Sequence, residues 1–189
     1  SNAMNISNIL TILRILFIPF FLLFFFMEKS YGMSVAFLVF ILASLTDVYD
    51  GFLARKNNQV TEFGKLMDPV ADKLLVISVL ISFVQINIVP AWMVVVIIAR
   101  EFIITSLRLI ALSSKGKIIA ASKTGKHKTI WQMISIILIL VVLSLKSYIP
   151  YVLNDSFVFK FSYFLMLGAV VISVFSAIDF FLKNKESFL

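Results

Sequence analysis

The sequence predicts an all-α protein, an integral membrane bundle of six transmembrane helices with its active site at the cytoplasmic end. Three observations carry that prediction. The chain is 61% apolar and only 14% charged, where a soluble domain averages about 45–50% and about 25%. Its apolar residues fall into six runs, several near the roughly 20 residues needed to cross a hydrocarbon core of about 30 Å. Its basic residues gather at alternate ends of those runs. Length fits one domain over 4–189, with Ser1-Asn2-Ala3 ahead of Met4 read as an expression-tag scar. With no Cys in the chain, a disulfide scaffold, a thiolate nucleophile and a Cys-based zinc site are excluded.

The first run, residues 9–27, is long for a cleaved signal, and no small-residue cleavage site precedes the next run. Asn8, Thr11 and Arg14, three apart, give its start one polar helical face. The second and third runs, 32–46 and 74–89, are short, so their helices are expected to continue into the charged stretch 47–73 between them. The fourth, 91–112, carries Arg100, Glu101 and Arg108 inside an apolar helix. Ionisable residues at such positions are functional candidates. A basic loop follows, in which His127 reads as a solvated residue, and then come the fifth run, 130–148, and the sixth, 157–182. Ala169, Ser173, Ser176 and Ala177 on the last run allow close helix packing.

With both termini on one side, fourteen of the seventeen basic residues fall there, leaving Lys29, Lys146 and Lys160 opposite. The positive-inside rule makes the basic side cytoplasmic, in the cytoplasmic membrane. The net charge of +7 then has an explanation in topology. Nucleic acid is not an expected partner, because no soluble basic domain remains once the runs are set aside.

Four of the ten acidic residues fall within 26 positions: Asp47, Asp50, Asp68 and Asp72. Spacings of three and four place each pair on one helical face. The first pair ends run two and the second begins run three, so a hairpin would bring all four together. Converging carboxylates stay ionised only beside compensating cations. An all-oxygen donor set selects Mg²⁺ or Mn²⁺ over zinc, and two pairs suit two ions clamping a phosphoryl transfer. Gly51 with Ala54 one turn on, and Gly64 one turn before Asp68, let a ligand approach the backbone. Arg55 is placed to meet a phosphate or a base edge.

The pattern Asp47-x2-Asp50-Gly51-x2-Ala54-Arg55-x8-Gly64-x3-Asp68-x3-Asp72 resembles, at every fixed position, the signature of the CDP-alcohol phosphotransferases. That family moves a phosphatidyl or related group from a CDP-linked donor to an alcohol and releases CMP. The resemblance implies that Asp47, Asp50, Asp68 and Asp72 hold the divalent metals, with Asp72 also the general base on the acceptor hydroxyl. It implies a CDP site lined by Gly51, Ala54, Arg55, Gly64 and Thr61, and a homodimer.

The acceptor is read from the other basic residues. Arg100 and Arg108 share a helical face, and Lys123, Lys126 and Lys128 follow. Several cations facing a metal site favour an acceptor bearing a phosphate. The stretch 100–108, the stretch 125–133 and the Asn8-x2-Thr11-x2-Arg14 opening resemble the bacterial members that use glycerol 3-phosphate as acceptor and CDP-diacylglycerol as donor. Within the family, inositol phosphate, serine or a second phosphatidylglycerol are the competing acceptors. From another class, a divalent-cation transporter built on the four Asp competes, although transport sites favour the midplane over a helix end.

Overall fold

Among the described residues, six helices follow one another in the computed structural model: α1 (Ile6–Phe25), α2 (Gly32–Asn57), α3 (Glu62–Gln85), α4 (Ala91–Lys115), α5 (Lys123–Lys146) and α6 (Asp155–Phe188). The structure describes residues 6–57, 62–115 and 123–188, and side chains at 12–46, 70–71, 73–108 and 125–184. No strand occurs among the described residues.

Each apolar run becomes a helix, and the departures lie at the ends. As expected, α2 runs past its apolar part to Asn57, and α3 begins at Glu62, well before residue 74. The basic stretch from Lys123 is not a loop but the first turns of α5. Its Lys and Thr residues keep helical dihedrals at little cost, so His127 is an exposed helical residue. The third helix stops at Gln85 instead of reaching residue 89. Asn87 adopts a left-handed φ of 58°, and Ile88 N–H returns to Phe83 O at 3.1 Å. This is a helix stop in which Asn takes the place usually held by Gly.

The chain divides into two compact units. The first contains α1, α2, α3 as far as Ser82, and residues 140–154. There α1 packs on α2 through Phe21 and Phe25 on one helix and Ala36, Phe40 and Ala43 on the other, all buried. Both sets recur at helical spacing, with small residues beside large ones, so aromatic rings fill the spaces the alanines leave. The Phe21 and Phe40 rings meet edge-on at 6.5 Å. Gly32 opens α2 where a Cβ would fall 2.7 Å from Phe24 O, so only glycine permits this tight entry. Ser34 Oγ lies 2.6 Å from Ser144 Oγ and donates to Tyr148 Oη at 3.2 Å. That places Tyr148 in a hydroxyl cluster at the start of α2. Arg14, of the polar face on α1, is buried at 1% exposure; the side chains of Asn8 and Thr11 lie outside the described residues.

The second unit holds residues 83–139 and 155–189. There α4 packs on α6. Trp131 of α5 lies against Gly168 of α6 so closely that a Cβ would fall 2.9 Å from its indole nitrogen. The same nitrogen donates to Leu165 O at 3.3 Å. Ala169, Ser173 and Ser176 are buried within this chain, which accounts for the small residues that sequence marked for close packing.

Among the described residues, two stretches are long and apolar enough to cross a membrane: Gly125–Lys146 in α5 and Asp155–Asn184 in α6. Only 39% and 33% of their apolar windows are buried, unlike the core helix of a soluble protein. The apolar parts of α1, α2 and α3 are shorter. Large apolar side chains point outward in both units, among them Phe20, Leu23, Val95, Phe164 and Phe175. Exposed apolar surface on this scale marks contact with something other than water.

Candidate active site

In the second unit, α4 and α5 build a basic cavity of about 460 Å³, lined by Arg100, Glu101, Arg108, Gly125, Lys126, Thr129 and Ile130. That volume is within the range of small-molecule sites, about 300–1,000 Å³. Arg100 and Arg108 are eight residues apart on α4, so two turns of helix bring both side chains to the same cavity.

Each guanidinium is held from α6. Arg100 Nη2 donates to Ser176 Oγ at 2.6 Å, and its Nη1 approaches Glu101 Oε1 at 3.3 Å. Arg108 lies over the Phe180 ring, 5.5 Å from its centroid, in a cation–π arrangement. Glu101 also receives the Lys128 ammonium in an ion pair whose lysine side chain is 4% exposed. Nε of Arg100 and Nε of Arg108 are buried and make no hydrogen bond among the described residues. Buried donors normally find acceptors. The first turn of α5 adds Gly125 and Lys126 to the wall, and a helix N-terminus offers backbone N–H groups and a positive dipole end. Guanidinium, ammonium and helix terminus together favour an oxyanion.

Of the sequence candidates for the acceptor phosphate, the structure brings Arg100, Arg108 and Lys126 to one cavity. Lys128 is not on its wall; it is committed to Glu101. Lys123 begins α5, with its side chain outside the described residues. Sequence reading missed Ser176 and Phe180 as holders of the arginines, because their part depends on which helices pair. The one available signal was a Ser four residues before an aromatic residue on an apolar helix.

The four aspartates lie on the helices that their spacing required. Asp47 and Asp50 are on α2, and Asp68 and Asp72 are on α3. Gly51, Ala54 and Arg55 follow on α2, and Gly64 precedes Asp68 on α3. The side chains of all these residues, and Thr61 altogether, lie outside the described residues. Among the described residues no group of three or more acidic or imidazole side chains gathers.

Comparison with known proteins converges on one class. Residues 4–175 match the family model described as CDP-alcohol phosphatidyltransferase, and the chain belongs to that family. A Bacillus subtilis protein named CDP-diacylglycerol–glycerol-3-phosphate 3-phosphatidyltransferase is 40% identical, the match covering 97% of this chain and 96% of that protein. Proteins of the same name from Rickettsia typhi and Wigglesworthia glossinidia brevipalpis are 42% and 41% identical over 70% of this chain, covering 74% and 75% of their own lengths.

Proposed function

We propose that this protein transfers the phosphatidyl group of CDP-diacylglycerol to the primary hydroxyl of glycerol 3-phosphate, giving phosphatidylglycerol phosphate and CMP. Family membership and the near full-length similarity to the Bacillus subtilis protein support the reaction class. The observation that carries the acceptor is the basic cavity, where Arg100, Arg108 and Lys126 converge. A phosphate monoester matches that donor set, because its three terminal oxygens accept charge-assisted hydrogen bonds. A net-neutral acceptor such as serine would leave those cations uncompensated, whereas inositol phosphate would not, and there the near full-length similarity to the Bacillus subtilis protein favours glycerol 3-phosphate.

Asp47, Asp50, Asp68 and Asp72 are the donor set for two Mg²⁺ or Mn²⁺ ions, since four carboxylates at helical spacings of three and four suit hard, oxygen-seeking cations. When bound, such ions neutralise charge on the pyrophosphate and on the departing CMP. The protein's own part is to orient and to move a proton. Arg100 and Arg108 fix the acceptor phosphate, and Gly51, Ala54, Arg55, Thr61 and Gly64 receive the CDP. Asp72 takes the proton from the acceptor hydroxyl as its oxygen bonds to the donor's β-phosphorus. A carboxylate is a weak base for an alcohol, so proton removal must accompany bond formation. No covalent enzyme intermediate is required.

In this reading all six helices lie in the cytoplasmic membrane, with both termini and the site at the cytoplasmic end. The segregation of Lys and Arg supports that orientation, and the outward apolar side chains of both units support a lipid surround. The enzyme works as a homodimer.

An acceptor panel tests the proposal. Purified protein in detergent receives CDP-diacylglycerol and Mg²⁺, with or without EDTA, and each alcohol in turn, while CMP release is followed. EDTA-sensitive release with glycerol 3-phosphate alone is the expected result. Release with inositol phosphate or serine instead would discard the acceptor assignment and keep the family chemistry. Metal flux into proteoliposomes without turnover would replace the enzyme by a transporter.

A further inference from the structure

The two arginines of the cavity are gripped in two different ways by consecutive turns of α6. Ser176 and Phe180 are four residues apart, so they lie one above the other on one face of the helix. Each is 1% exposed. Ser176 accepts from Arg100 Nη2 at 2.6 Å, along an edge of the guanidinium. Phe180 underlies Arg108 with its ring face at 5.5 Å. An edge contact uses one of the five N–H groups, whereas a face contact uses none of them. Neither grip engages Nε–H, which makes no hydrogen bond among the described residues in either arginine, and both arginines line the cavity.

Free arginine side chains carry substantial rotamer entropy, which a ligand would otherwise have to overcome at each one. We propose that Ser176 and Phe180 are positioning residues for the acceptor, holding Arg100 and Arg108 in the orientation that receives its phosphate before the acceptor arrives. This rests on the glycerol 3-phosphate reading above and adds to it the residues that set acceptor affinity from a helix that supplies no charge to the cavity. Ser at 176 serves two needs. It is small enough to be buried where α6 meets α4, and it places an oxygen where Arg100 needs an acceptor. Alanine meets only the first need.

The test is a split between the two substrates. With full-length protein in detergent, Mg²⁺ and CDP-diacylglycerol, S176A is expected to raise KM for glycerol 3-phosphate about tenfold, the scale of one charge-assisted hydrogen bond. KM for CDP-diacylglycerol should stay within about twofold, on the same scale of judgement. S176T, which restores the hydroxyl, should return the acceptor KM toward wild type. F180L preserves apolar bulk and removes the ring face, so it should show the same split at about three- to fivefold. F180L provides the test independently of whether S176A remains folded. An unchanged acceptor KM in both variants, or equal losses toward both substrates with no rescue by S176T, would overturn the inference. Wild-type protein that releases no CMP with glycerol 3-phosphate would instead overturn the functional reading beneath it, so the two failures are distinguishable.

Discussion

Lys128 of α5 is paired with Glu101 of α4, its side chain 4% exposed and the glutamate's 23%. The pair ties two helices together beside the cavity and takes one lysine out of the set available to an anion. It also leaves the cavity with Arg100, Arg108 and Lys126 as its cationic lining. Removing one member of a buried pair leaves a charge without compensation, which costs about 3–5 kcal/mol when burial is complete. Because Glu101 retains some exposure, E101Q is expected at the low end of that range, read as a lowered unfolding midpoint in detergent. The double variant E101L/K128M should recover most of the loss, since it removes both charges. A double variant no more stable than E101Q would mean that the pair does not hold these helices.

Arg108→Ala removes a guanidinium from the cavity wall and leaves a smaller side chain beside Phe180. KM for glycerol 3-phosphate should rise at least tenfold, as expected for loss of a charge-assisted contact. KM for CDP-diacylglycerol should change little. Steady-state kinetics with each substrate varied in turn decide this, and an unaltered acceptor KM would make Arg108 a packing residue.

Asp72→Asn should abolish turnover while CDP-diacylglycerol still binds, because the amide cannot accept the hydroxyl proton although three other carboxylates remain. Binding is read by equilibrium titration and turnover by CMP release. Wild-type turnover in the variant would remove Asp72 from the role of base.

Gly168→Ala inserts a methyl group 2.9 Å from the Trp131 indole nitrogen. Overpacking of this kind costs about 1–3 kcal/mol. Combining it with W131L should give less destabilisation than the sum of the single variants, because the clash needs both groups. Strict additivity in thermal unfolding would show that α6 can move away at no cost.

The helices were legible because each is an apolar run interrupted by charge or turn residues, and lipid-facing helices need no amphipathic periodicity to be found. The end of α3 was less so. Nothing in the local sequence distinguishes Asn87 as a left-handed stop from a polar residue within a longer helix. The start of α5 was missed for the opposite reason: Lys123 to Thr129 is polar enough to read as a loop, yet its residues are helix-compatible. At the site, Arg100 and Arg108 were legible as charges where hydrocarbon is expected. Their distinction from Lys128 was not, because three lysines in six positions look alike until Glu101 selects one. Ser176 and Phe180 were hidden because a serine and a phenylalanine on an apolar helix acquire meaning only from the helix facing them. The aspartate signature lies on the helices its spacing demands.

The last helix, α6, has 34 residues, about 50 Å at 1.5 Å per residue. A hydrocarbon slab of about 30 Å leaves it a generous surplus. In the bilayer proposed here, such a helix accommodates thicker or thinner membranes by changing its inclination, a modest cost per ångström of mismatch. Ser176 and Phe180 sit in its C-terminal half, and the Asp179–Lys183 pair follows at 2.7 Å. A change of inclination would therefore be felt at the arginine grips. Acyl-chain length in the surrounding lipid becomes a variable to which acceptor affinity should respond.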